Sequence, residues 1–156
     1  MAATKRIAVY CPDELAVDID LALSAWETGL ADPAAPLAEE LRRFDEEGYD
    51  CFVVMDGAAG DKEVAGAVAA YGGGMRIVFV ANSLRSCPSP LFNALVAAGR
   101  YDIVANDTSE PTYDYLDAMV KVVMHPKSKQ DALKCCVPSR DASRDPRKVP
   151  GGGAQS

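Results

Sequence analysis

The stretch EEGYDCFVVMDGAAGD, residues Glu46–Asp61, decides the fold. It reads as the end of a helix, then five apolar residues without a polar interruption, Cys51–Met55, and then an aspartate, Asp56, where the apolar run stops. A strand that alternated apolar and polar residues would have one wet face. This one has none, so it is expected to be buried on both faces, as strands are in parallel sheets covered by helices on each side.

Working outward, the same grammar repeats. RIAVYC (Arg6–Cys11) is a continuous apolar run with β-branched residues, and Pro12-Asp13 stops it and can open a helix. From there Leu15, Ile19, Ala22, Leu23 and Trp26 recur at steps of three and four, the period of a helix face. GLADPAAP breaks the pattern, and a second amphipathic helix follows with Leu37, Leu41 and Phe44 inward. Beyond Asp56, DKEVAGAVAAY is a helix whose small residues allow close packing on a sheet, ended by Gly72–Gly74. MRIVFVA is a strand, SPLFNALVAAG a helix, YDIVA a strand, and TYDYLDAMVKVVM a last helix before His125-Pro126. Strands alternating with helices predict a doubly wound α/β fold with a parallel sheet. Ligands of such folds sit outside the carboxyl ends of the strands, which draws attention to Cys11–Glu14, Asp56–Asp61, Ala81–Ser83 and Ala105–Thr108.

The chain has 156 residues, 49% of them hydrophobic, enough for one domain with a proper core. Its charge is uneven: the segment from Lys127 onward carries +4 and residues 1–126 carry −11. An acidic body repels nucleic acid phosphates, so direct DNA or RNA binding is not expected. No apolar run approaches the roughly 20 residues of a membrane span, and MAATKR leads straight into the first strand, so no membrane insertion and a cytoplasmic location are expected. Five cysteines, Cys11, Cys51, Cys87, Cys135 and Cys136, form no C-x-x-C pair and have one histidine for company, which fits a reducing compartment better than a zinc site. The expected organisation is an α/β domain over 5–126, a short helix or extension over 127–136, and a Pro-, Gly- and charge-rich tail or linker over 137–156.

The order of elements, with YDCFVVMD, MRIVFVANS and AGRYDIVAND at three strand ends, resembles the receiver domain of bacterial response regulators over roughly residues 5–124. The layout of GRYDIV, a helix and then HPKSKQDALK is also similar to the divergent receiver-like domain that precedes the ATPase in pilus-assembly and secretion proteins of the CpaE/TadZ type. The resemblance implies five parallel strands in the order 2-1-3-4-5, the receiver/flavodoxin-like arrangement. The second strand should be short or missing, because TGLADPAAP lacks a β-branched run.

The resemblance also implies a chemistry that can be tried residue by residue. Asp56 takes the place of the phospho-acceptor at the end of its strand. An acidic pair at the end of the first strand would hold Mg²⁺ with it through hard oxygen ligands, the metal neutralising charge on the phosphoryl group. Here Cys11 and Pro12 take those two places, with Asp13 and Glu14 displaced outward, so Asp13 and Asp56 are the metal candidates if the domain is a working receiver. Asn82 and Ser83 are available after the fourth strand. After the fifth, ANDTSEP has no lysine; Asn106 or Asp107 takes its place, and an aspartate there would repel a phosphoryl group.

Other features carry less. YGGGMR precedes a strand instead of following one into a helix, so it is a turn and not a phosphate cradle; this also counts against a small-molecule-binding flavodoxin-like protein. His125 reads as a helix C-terminal residue, and Cys135-Cys136 as bystanders more than a thiol switch. The expected function is therefore a non-catalytic receiver-like module, requiring no cofactor and acting through a protein partner or homodimer, with no P-loop of its own. The alternative is a phosphorylatable receiver of a two-component pathway that uses Asp56 and Mg²⁺. The contact face is expected on the fourth and fifth helices, with at least one of Phe92, Tyr113 and Tyr115 substantially exposed.

Overall fold

The structure, a computed structural model, describes residues 5–82, 85, 88–105 and 113–138. Its strands are β1 (Arg6–Tyr10), β2 (Glu27–Leu30), β3 (Cys51–Met55), β4 (Arg76–Val80) and β5 (Asp102–Val104). They form one parallel sheet in the order β2-β1-β3-β4-β5, the expected receiver/flavodoxin-like arrangement. Its helices are α1 (Ala16–Ala22), α2 (Leu37–Glu46), α3 (Asp61–Ala70), α4 (Pro90–Ala97), α5 (Tyr115–Met124) and α6 (Lys129–Leu133).

The uninterrupted apolar runs have the expected cause. All five residues of β3 are buried, and successive side chains feed two separate cores. Phe52 and Val54 pack with Ala8, Tyr10, Ile77, Phe79 and Ile103 beneath α2, α3, α4 and α6. Cys51, Val53 and Met55 pack with Ile7, Val9, Val78 and Val80 beneath α1 and α5. The parallel pairing brings the carboxyl ends of β1, β3, β4 and β5, at Tyr10, Met55, Val80 and Val104, to one end of the sheet.

At the other end, one arginine binds several elements. Arg76, the first residue of β4, is paired with Asp102 of β5 at 2.7 Å and also donates to the carbonyls of Val122 and Val123. Those carbonyls belong to the last turn of α5, where backbone acceptors lack helical partners.

Two local readings of the sequence need correction. The helix begun near Leu15 does not run to Trp26: after a 3-10 turn over Asp13–Leu15, α1 ends at Ala22, and the amide of Trp26 bonds back to Leu23. The chain then enters β2 at Glu27, so the short second strand occupies part of what looked like a breaker. Gly29 is suited to β2 because a side chain there would meet the ring of Tyr49, itself packed edge-on against Phe44. On that face β2 is closed.

Segment 127–136 is part of the same body. Ser128 and Asp131 form a reciprocal capping box at the start of α6, and Ala132 and Cys135 are buried in the α2–α3–α4–α6 core. Val137 and the side-chain amide of Asn93 on α4 exchange two hydrogen bonds, at 2.7 and 2.9 Å.

The β5 edge is closed by this same segment. Because Val104 accepts from the amide of Ala81, just past β4, the main-chain groups of Ile103 face outward. Both are satisfied within the chain: the amide bonds to Tyr101, and the carbonyl accepts from Nζ of Lys127 at 2.8 Å.

Candidate functional site

Asp56 stands at the carboxyl end of β3, where its amide donates to Val80 and continues the β3–β4 ladder by one bond. Its side chain is 9% exposed and is fully engaged. Arg85 holds both carboxylate oxygens, Nε to Oδ2 at 2.7 Å and Nη2 to Oδ1 at 2.8 Å, a fork-on-fork arrangement. The amide of Asn82 adds a longer bond to Oδ2.

The local chain explains how Arg85 arrives there. After β4 the segment turns at Asn82, whose side-chain oxygen and carbonyl both accept from the amide of Arg85. The guanidinium is carried back over the end of β3, above the rings of Phe79 and Phe92 at 5.7 and 6.0 Å. Its remaining donors reach Asp61, the first residue of α3, at 2.6 and 3.1 Å, and the hydroxyl of Ser89 just before α4. One arginine thus joins the ends of β3 and β4 to the starts of α3 and α4.

The electrostatics follow from that contact. The hydrogen bonds that Arg85 donates to Asp56 and then to Asp61 hold its guanidinium even more firmly protonated than usual. The hydrogen bond from Arg85 lowers the pKa of Asp61, and its place at a helix N-terminus also suits an anion. Two carboxylates against one guanidinium leave the cluster with one net negative charge. Chemically it is a closed ion network: the carboxylate that would attack a phosphoryl group is already bidentate to a cation, and freeing it means breaking two charge-assisted hydrogen bonds.

Asp13, the expected metal companion of Asp56, lies exposed in the 3-10 turn beyond Pro12, and no hydrogen bond joins the two. Pro12 separates this turn from the strand, and its ring faces the turn at Gly57. Among the described residues no group of three or more His, Cys, Asp or Glu side chains comes together as a metal site. Ser83, Asn106 and Asp107 lie outside the described residues.

The expected contact residues are also placed differently. Phe92 is fully buried on α4 with its ring against Phe79, so it is a core residue and not a partner contact. Tyr113 and Tyr115 are half-buried: the hydroxyl of Tyr113 donates to the carbonyl of Ala81, and burial raises the pKa of Tyr115. None of the three is substantially exposed, and α6 packs on α4.

Arg85 and Ser89 were not singled out from sequence, and Asp61 entered only as the end of the stretch after the third strand. A signal was present: in the strand-end loops of an acidic body, Arg85 is the one basic residue between Arg76 and Arg100. No family model, curated protein or solved structure matches the chain.

Proposed function

We propose that the chain is a non-catalytic receiver-like module that works by protein contact, in which Arg85 takes the charge-neutralising place that a metal and phosphoryl group would need at Asp56. The observation that supports this reading is the two-point seat of the guanidinium on the Asp56 carboxylate. A carboxylate so held is a poor nucleophile, because its lone pairs are committed and an approaching dianion must also pass Asp61. The resemblance to receivers and to the leading domain of CpaE/TadZ-type proteins supports a role in bacterial cytoplasmic signalling or assembly. Its partner is a protein, or a second copy, and not nucleic acid, given the −11 charge of residues 1–126. That no helix among the described residues is long and apolar enough to cross a membrane fits this setting.

Incubation with acetyl phosphate and Mg²⁺, read by intact mass, tests the proposal. The protein is expected to remain unmodified. A single phosphate addition that Asp56→Asn abolishes would overturn it and establish a phosphorylatable receiver.

A further inference from the structure

The two edges of the sheet are treated differently. At β5 the outward main-chain groups are satisfied within the chain, as described above. At β2 they are not. The amides of Glu27 and Ala31 donate to Lys5 and Val9, so the odd-numbered residues of this strand face β1 and the amides and carbonyls of Thr28 and Leu30 face outward. β2 is the outermost strand, and among the described residues no hydrogen bond engages those four groups.

Beside this open edge lies an apolar shelf. Leu30 pairs in register with Val9, which points into the core beneath α1, so the Leu30 side chain stands on the α1 side of the sheet. Thr28, two residues earlier on the same side, donates its hydroxyl to Asp20 of α1, which places that helix alongside β2. Leu30 is 55% exposed, and on α1 Val17 and Leu21, one turn apart, are 70% and 67% exposed. These are the three most exposed large apolar side chains of the described residues apart from Met124.

The charge around the shelf selects its occupant. From Cys11 to Asp32 the sequence has six acidic residues, Asp13, Glu14, Asp18, Asp20, Glu27 and Asp32, and no basic one; of the six, Glu27 is paired with Arg6 of β1 at 3.3 Å. A second copy would bring the same acidic rim against itself. We propose that the β2 edge binds an extended segment of a partner protein that has an apolar centre flanked by basic residues: its backbone adds a sixth strand on Thr28 and Leu30, its apolar side chains on the α1 side cover Leu30, Val17 and Leu21, and its flanking lysines or arginines meet the acidic rim. Main-chain pairing supplies affinity, while the shelf and rim supply selection. This partner surface rests on the contact-module reading, but it is tested independently of Asp56, since phosphorylation of Asp56 would leave the edge unchanged.

The probe is a short end-capped peptide of valines flanked by lysines, titrated into the full chain and followed by amide hydrogen exchange and calorimetry. In the free protein the amides of Thr28 and Leu30 are expected to exchange quickly and that of Gly29 slowly. Saturating peptide should slow Thr28 and Leu30 at least about tenfold. Leu30→Lys should weaken binding about tenfold or more, through lost apolar cover and added like charge. Thr28→Pro should weaken it without disturbing the β1 ladder, because the amide it removes faces outward. If that variant does not fold, Leu30→Lys and a peptide N-methylated along one edge give the same reading. Binding that survives N-methylation, or leaves Thr28 and Leu30 unprotected, would reduce the contact to charge attraction and overturn the proposal. So would absence of binding, and so would protection of those amides by self-association without peptide, which would make the occupant a second copy.

Discussion

Replacing Arg85 with methionine keeps much of its stem over Phe79 and Phe92 but leaves Asp56 and Asp61 facing each other without a cation. Stranding a carboxylate that is 9% exposed is costly. The expected loss, measured by denaturant unfolding, is about 2–3 kcal/mol, less than for a fully buried pair because Asp61 is half in water. Adding Asp56→Leu should restore part of it; a double variant no better than the single one would show that Arg85 acts through packing alone. The acid limb of stability is a second measure. Asp61, bonded to Arg85, and Glu40, bonded to Arg43, have lowered pKa values in the folded protein. Each binds fewer protons folded than unfolded, so its contribution is complete above the ordinary carboxylate range and is lost as pH falls through the folded value. Wild type should therefore lose stability as pH drops below about 4, and Arg85→Met should lose less over the same interval. Asp56 itself was legible because a strand end is visible as the end of an apolar run. Arg85 was not, because it lies in a loop whose path depends on the Asn82 turn, and no periodicity announces which loop side chain will fold back.

Among the elements, β3 and β4 could be read directly, since burial on both faces leaves an unbroken apolar string. β2 is ETGL, with no such string, because it is an edge strand: Tyr49 covers one face at Gly29 and the other is only partly sheltered by α1. The length of α1 was overestimated for a related reason: Leu23 and Trp26 continue the helical spacing but pack from a turn. The same limit applied to α4, where an apolar helix face was visible but its covering by α6 depends on a long-range contact. Phe92→Ala should cost about 3–5 kcal/mol in stability, as removal of a buried aromatic ring does, and a substitution that weakened only association would contradict its core placement. Ending the chain at Pro126 should lower the melting temperature markedly, by uncovering the α4 side of the core and removing Lys127 from the β5 edge. It should also speed exchange of the Ile103 amide; an unchanged melting temperature would show that α6 is an ornament.

For the molecule as a whole, the two cores make the thiols of the central strands reporters of global opening. Burial raises the Cys51 thiol to about 12, and burial with nearby Asp13 and Glu14 raises that of Cys11. Neither should react with a maleimide in the native protein, and both should become labelled at the rate of global unfolding; labelling of Cys51 under native conditions at a rate independent of stability would reveal a local opening of β3. The unequal edges have a consequence for crowding. A sheet with two available edges has a valence of two and can grow into a chain of any length. Among the described residues the outward groups of Ile103 at β5 are already taken by Tyr101 and Lys127, which leaves this sheet a valence of one, at β2. Strand addition at β2 is therefore expected to stop at a single partner, so a high local concentration of the protein favours saturation over growth into a filament.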